Sequence, residues 1–298
     1  MEDIEIVVDC FWVNPKKIRG IGLSSLYRLD LLSEQSNGKI FVITSFGALN
    51  FFFDRYRAER FEIIGISYLH YFLYGYANLF SKKLHGNKLW LSLGNFPGLS
   101  RGGIEIIVVH DFAWNSVRLS SYDYKKFAYK LLLLIMFMRS SKAKFISCVA
   151  EEALVPCAIK SYSEIIQSIG NPVRYYEHLI NNKKEFDAIV VGPNSPVKRL
   201  DLVPKIIAKL DDISNVVIVG RKEDWAKELN CSVTFTDVIT DEEVQQYISK
   251  SKNLIVTSSS ESFSYPIHYA LYYNCNIIGT KDLRIKEDLK SQIRHVGI

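Results

Sequence analysis

Short runs rich in Ile and Val alternate with longer helix-like stretches along all 298 residues, and this alternation limits the possible folds most sharply. The predicted strands are Ile4–Val8, Lys39–Thr44, Glu62–Ile66, Lys88–Leu93, Ile104–Val109, Lys144–Cys148, Ala188–Val191, Val216–Val219, Ser232–Phe235, Asn253–Val256 and Asn276–Ile278. Most are apolar on both faces, as parallel strands covered by helices must be. Helices are predicted between them over Ser24–Glu34, Tyr122–Arg139, Asp201–Leu210, Asp241–Ser249 and Tyr265–Tyr273. This pattern predicts an α/β chain of doubly wound, Rossmann-like sheets with right-handed crossovers. The polar segment Arg174–Asp187 breaks the alternation and reads as a linker. It separates an N-terminal domain, 1–176, from a compact C-terminal domain, 177–298. In paired domains of this kind ligands bind beyond the carboxyl ends of the strands, so the cleft between the domains is the expected site.

Composition narrows the class further. Hydrophobic residues at 48% and charged residues at 23% indicate a globular chain. The longest apolar run, Leu131–Met138, is far short of the roughly 18 residues that a membrane span requires. The start, "MEDIEIVVDCFW", is acidic and strand-like, unlike a signal peptide. Five dispersed cysteines with no C-x-x-C spacing argue against a disulfide scaffold or a zinc site, and fit a reducing cytoplasm. Residues 1–176 hold 21 Lys and Arg against 15 Asp and Glu, whereas residues 177–298 hold 16 against 17. The basic first half is either an incidental surface or one that faces an anionic membrane or lipid-linked substrate. Nucleic acid is not expected, because no nucleic-acid module accompanies the charge.

The residues that follow the strands carry the chemistry. Gly192 ends one strand, and Lys198 and Arg199 precede the next helix, where a cation can meet phosphate. A solvated surface lysine is the plain alternative. Gly220 ends another strand and precedes Arg221-Lys222. In "TDEEVQQYISKSKNLIVTSSSESFSYP", Thr240 or Asp241 caps a helix with Glu243 in its first turn. The following strand runs into three serines and Glu261. Ser262 or Ser264 can cap the last helix, with Pro266 in its first turn. Free backbone N–H groups there would hold a diphosphate, and Glu261 would accept hydroxyls of the group it carries. A capping acid is the simpler reading of Glu261. His110 leaves the end of another strand, in "VVHDF", and Gly20 and Gly22 form a loop before the first helix. That "GIG" is too short for a dinucleotide fingerprint.

Taken in order, "GIGLSSLYRLDLL", "VVHDF", "FISCVAEEAL", "IIQSIGNPV", "VGPNSPVKRLDLVPKI" and the block from "FTDVITDEEV" to "NCNIIGT" resemble a retaining glycosyltransferase of the GT-B fold. The resemblance is to the large family 4 group, which uses nucleotide-sugar donors. It implies that Lys198 holds the donor diphosphate and that Glu261, the first glutamate of an E-x7-E motif, contacts the donor sugar. It places Ser262, Phe263 and Ser264 in the phosphate-binding loop and helix start, and His110 near the reacting carbon on the acceptor side. Gly20, Gly22, Gly192, Arg199, Gly220 and Tyr269 are further donor-side candidates.

Three departures stand out. Pro193 replaces the family's arginine, Tyr269 stands where the second glutamate should be, and the chain ends about twenty residues after Gly279, as a compact variant or a fragment would. The expected activity is metal-independent transfer of a hexose-type sugar to a glycan or lipid-linked oligosaccharide, in bacterial surface-polysaccharide synthesis. No cofactor is expected beyond the nucleotide-sugar substrate, and no D-x-D motif occurs. Aromatic, basic stretches such as "NFFFDRYRAERF" suggest that the first domain rests on the inner face of the cell membrane, although buried helices would read the same way. The alternative is a non-catalytic GT-B partner or sugar-binding protein. A phosphorylase or epimerase would need residues that are not found.

Overall fold

A computed structural model describes residues 4–16, 18, 20–67, 71, 84, 86, 88–94, 104–109, 143–148, 165–168, 170–180, 183–192, 197–210, 212–261 and 263–297. The predicted helix Tyr122–Arg139, together with His110, Pro193 and Ser262, lies outside these residues. The chain divides into two compact units, Met1–Pro172 and Val173–Ile298, four residues before the expected boundary.

Among the described residues the first unit carries seven strands: β1 (Ile6–Asp9), β2 (Ile40–Ser45), β3 (Phe61–Ile66), β4 (Leu89–Ser92), β5 (Ile104–Val109), β6 (Ala143–Cys148) and β7 (Ile165–Ser168). They form one parallel sheet in the order β3-β2-β1-β4-β5-β6-β7. β1 and β2 are buried at every position, which explains their unbroken Ile and Val runs. Helix α1 (Ile21–Gln35) follows β1, and a 3-10 turn with helix α2 (Leu49–Arg55) follows β2. An Asp30 carboxylate on α1 accepts from Arg55 and from the Tyr56 hydroxyl, each at 2.7 Å, and so joins the two helices. Arg60 donates to the carbonyls of Ser33 and Ser36 and closes the C-terminal end of α1.

The second unit is a six-stranded parallel sheet of β8 (Phe186–Val191), β9 (Asn215–Val219), β10 (Ser232–Phe235), β11 (Ser251–Val256), β12 (Asn276–Thr280) and β13 (Ile293–Val296). Its order is β10-β9-β8-β11-β12-β13, so the chain reverses direction across the sheet between β8 and β11. Val190, Ile218, Ile255 and Ile278 from four strands meet Val203, Ile206 and Trp225 in one buried core. Helices α3 (Val203–Ile207), α4 (Asp241–Ser249), α5 (Tyr265–Tyr272) and α6 (Glu287–Lys290) complete this unit.

Most predicted strands agree with the structure to within two residues at either end. The differences have local causes. Phe186 and Asp187, read as linker, belong to β8. The Asp187 carboxylate accepts from the Ser214 amide and hydroxyl, the Asn215 amide and Lys252, at 2.8 to 3.0 Å. Those bonds, Lys252 first, hold its pKa well below the usual carboxylate range. The predicted helix from Asp201 begins as a 3-10 turn, Leu200–Leu202, before α3, which has Pro204 in its first turn. Helix α2 was not predicted, because "LNFFFDR" lacks a clear helical stripe. Strand β13 was missed because Arg294 and His295 interrupt its apolar pattern.

A buried polar network anchors the rest of the expected linker. The Gln245 side chain donates from Nε2 to the Arg174 carbonyl and to Asp241 Oδ2, both at 2.9 Å. Its Oε1 accepts the Tyr273 hydroxyl at 2.7 Å, and that hydroxyl in turn accepts the Tyr176 amide at 2.9 Å. Tyr175 stacks on Tyr272 with ring centroids 4.0 Å apart. Residues 174–176 are therefore docked against α4 and α5. Tyr273→Phe should strand the Gln245 oxygen and the Tyr176 amide and cost about 1–3 kcal/mol. Urea denaturation checks this; an unchanged midpoint would remove the network from the stability of this unit.

Candidate functional site

In the second unit the strand ends that flank the reversal of order bring four segments together. β8 is followed directly by Gly192 and β9 by Gly220, with φ of 121° and 153°, conformations that side-chain-bearing residues rarely adopt. The Gly192 amide donates to the Val219 carbonyl at 3.2 Å, so the two glycines lie side by side and leave a bare backbone edge.

Residues 197–199 enter α3 from that edge and are bolted to the end of β11. Ser259 N donates to the Val197 carbonyl at 2.9 Å, and Thr257 Oγ1 donates to the Lys198 carbonyl at 2.5 Å. Arg199 is left-handed, with φ 48° and ψ 48°. Its guanidinium donates to the Thr257 carbonyl at 3.0 Å, to Thr280 Oγ1 at 3.1 Å, and through two nitrogens to both oxygens of Asp282 at 2.6 and 3.0 Å. A bidentate fork of this kind fixes a backbone that would otherwise relax. Arg199 was expected on the donor diphosphate; in the structure its fork is occupied by these protein partners.

The bolting places Lys198 against Glu261. Lys198 Nζ and Glu261 Oε1 are 2.5 Å apart, and Ser258 Oγ donates to the same oxygen at 2.5 Å. Only 10% of the Glu261 side chain is exposed, against 31% for Lys198. The Glu261 backbone is held separately. Its amide donates to the Arg284 carbonyl at 2.8 Å, and the Arg284 amide donates to the Ser259 carbonyl at 3.0 Å. Two residues singled out separately from the sequence are thus in direct contact, although 63 residues separate them.

Helix α5 begins just beyond. Ser264 is its N-cap residue but makes no side-chain capping bond, and Pro266 lies in the first turn. The Phe263 ring stacks on His268 at 4.2 Å. Burial pushes the His268 imidazole below its usual pKa. By contrast α4 is closed by the predicted capping box: Thr240 accepts from Glu243 N at 3.3 Å while Glu243 accepts from Thr240 N at 2.7 Å.

Tyr269, a donor-side candidate, is turned into the core. It is 1% exposed, and its hydroxyl donates to Asp241 Oδ1 at 2.8 Å. Gly20 and Gly22 lie in the first unit at the start of α1, where a side chain on Gly20 would meet open space. His110 and Ser262 lie outside the described residues. Ser258, Thr280 and Asp282 were missed from sequence. Their only signal was position, since each follows or closes a strand of the second sheet. Among the described residues no group of three His, Cys, Asp or Glu could hold a metal ion. Nor is any helix among them long and apolar enough to cross a membrane.

Residues 176–293 match the family described as glycosyl transferases group 1. That match covers most of the second unit, where the more specific of the sequence resemblances lie. No curated protein matches the chain. Among solved structures it is similar to HepE from Anabaena in complex with UDP and glucose, with 14% identity and a TM-score of 0.65. That alignment covers 93% of this chain and 81% of HepE. It is also similar to WaaG, a glycosyltransferase involved in lipopolysaccharide biosynthesis, with 11% identity and a TM-score of 0.67 over 98% of this chain and 86% of that one. Sucrose-phosphate synthase from Thermosynechococcus elongatus gives 12% identity and a TM-score of 0.61, over 93% and 81%. The fold is therefore GT-B: two parallel-sheet, Rossmann-like α/β domains.

Hydrogen bonding from Arg199 holds the Asp282 carboxyl down at about 2. A depressed carboxylate contributes stability above its unfolded pKa and loses it as pH falls through the folded value. The 198–199 bolt should therefore be intact at neutral pH and weaken between about pH 4 and pH 2. Because Asp282 is largely exposed, Asp282→Asn should cost at most about 1 kcal/mol at pH 7. Melting curves should show the gap between wild type and variant closing across that acid window; a gap independent of pH would contradict the assignment.

Proposed function

We propose that this chain is a retaining glycosyltransferase. It would move a hexose-type sugar from a nucleotide-sugar donor to a glycan or lipid-linked acceptor in surface-polysaccharide synthesis. The observation that carries the reading is the Lys198–Glu261 pair, held between the ends of β8 and β11 at the order reversal of a Rossmann-like sheet. The group 1 match over this unit supports the transferase class, and the UDP complex of the similar HepE structure supports a nucleotide-sugar donor.

The reaction breaks the bond between the anomeric carbon and the diphosphate oxygen. It forms a bond from that carbon to an acceptor oxygen on the same face of the sugar. The barrier lies in negative charge gathering on the leaving diphosphate and positive charge on the anomeric carbon. Lys198 and the uncapped amides at the start of α5 would stabilise the first. Glu261 would orient the donor sugar by accepting its hydroxyls, a positioning role without nucleophilic attack. The acceptor proton would pass to the departing phosphate, with His110 orienting groups on the acceptor side. The metal-independent reading rests on Lys198 and on a sequence without D-x-D.

Gly192 and Gly220 would let the protein backbone approach the donor closely, and Phe263 with Ser264 would frame the phosphate end. Tyr269, buried with its hydroxyl on Asp241, favours a second reading, a non-catalytic sugar-binding partner. Thermal-shift measurements with UDP-, GDP-, ADP- and dTDP-sugars would name the donor. Lys198→Ala and Glu261→Ala should abolish transfer; turnover like wild type in either would overturn the enzyme reading, and nucleotide binding without any turnover in wild type would favour the partner.

The acceptor side would rest on an anionic membrane surface at the cytoplasmic face. Supporting this, Phe46 and Phe53, on and beside α2, are 62% and 51% exposed, next to a stretch with Arg55, Arg57 and Arg60. Co-sedimentation with phosphatidylglycerol-containing liposomes at low salt should capture the protein. Phe46→Ser with Phe53→Ser should release it, and no capture of wild type would end the membrane reading.

A further inference from the structure

We infer that Ser258 is a positioning residue that fixes which oxygen of Glu261 faces the donor sugar. The inference rests on the donor-site reading above and goes further by dividing the carboxylate into two working halves.

Two donors converge on one oxygen. Lys198 Nζ and Ser258 Oγ both lie 2.5 Å from Glu261 Oε1. No bond to Oε2 occurs among the described residues. A carboxylate has two oxygens and about four acceptor positions, so loading Oε1 leaves Oε2 with its full capacity. Charged acceptors make the stronger hydrogen bonds, and two neighbouring hydroxyls of a hexose could share that one oxygen.

Among the described residues the Ser258 hydroxyl has no other side-chain bond that would explain its place. Ser258 is 2% exposed and leaves the end of β11. Helix α4 is capped by Thr240, and the N-cap residue of α5 is Ser264. The peptide around Glu261 is held by backbone bonds between Glu261, Arg284 and Ser259, which do not involve the Ser258 side chain. Removing the hydroxyl therefore leaves the Glu261 backbone in place and frees the rotation of its carboxylate. Lys198 alone cannot prevent this, because an ammonium on a flexible four-carbon stem accepts many approach angles. With both donors present the carboxylate plane is set before the sugar arrives, the pre-organisation that orientation of a bound substrate requires.

The consequence is separable from donor binding in general. A nucleoside diphosphate without its sugar meets Lys198 and the α5 amides but not Glu261 Oε2. Ser258 should matter for the sugar and hardly at all for the nucleotide.

The test is calorimetric titration of wild type, Ser258→Ala and Ser258→Cys, which keeps the side-chain shape but donates only weakly. The ligands are the first of UDP-, GDP-, ADP- or dTDP-sugars that binds wild type and the matching nucleoside diphosphate. The expected result is nucleoside diphosphate affinity within about twofold of wild type in both variants. The extra affinity conferred by the sugar should fall roughly five- to thirtyfold. Equal weakening of both ligands would mean general damage to the site and would overturn the inference. A sugar contribution held at its wild-type value in either variant would overturn it as well. If wild type binds none of the nucleotides, the donor-site reading itself fails, and this inference with it.

Discussion

Every strand pairing in both units is parallel, and much of the architecture depends on that. Parallel strands need crossovers, and the crossovers cover the sheet faces, so the strands are built of Ile and Val in continuous runs. Parallelism also sends every carboxyl end of a sheet to the same edge. Residues far apart in sequence, such as Gly192, Gly220, Glu261 and Thr280, therefore share one rim of the second sheet. The order reverses between β8 and β11, and in open sheets of this kind such a reversal is where ligands bind.

The chain uses that rim to hold opposite charges close together. An ion pair with a largely buried carboxylate gives up hydration, so it persists only where geometry and extra hydrogen bonds compensate. Here Ser258 supplies one such bond, and Thr257 and Ser259 fix the segment that carries Lys198. Arg199 adds a second layer. Its left-handed backbone is an unfavourable conformation for an arginine, and its guanidinium offsets that cost through Asp282, Thr280 and the Thr257 carbonyl. Two adjacent cations thus divide the work: Lys198 meets Glu261, and Arg199 secures the loop beneath it.

Much of this was legible in the sequence because it depends on patterns of near neighbours. Apolar runs marked the strands, and the T-x-x-E spacing at Thr240 marked a helix start that the structure reproduces as a capping box. Glu261 and Lys198 could be singled out because each comes after a strand of the second sheet, and the structure sets the two in contact. Other features were not, for physical reasons. Asp282 and Thr280 act only through Arg199, some eighty residues away. Tyr269 sits on the helix after Glu261, and nothing in its neighbourhood revealed that Asp241, from the preceding helix, would take its hydroxyl. The polar segment 174–187 resembled a linker because its bonds to Gln245 and Tyr273 are long-range.

By itself, then, the sequence determined the class, two Rossmann-like parallel sheets, and it singled out Lys198 and Glu261 beyond strand ends of the second. Hydrophobic periodicity and turn chemistry operate over a few residues, so they survive in a linear reading. The tertiary structure decided how the charges are spent. It assigned Arg199 to Asp282, turned Tyr269 inward, and set Ser258 and Lys198 on the same oxygen of Glu261. Those outcomes depend on angles and distances of a few ångströms between segments brought together only by sheet order, which no linear spacing encodes.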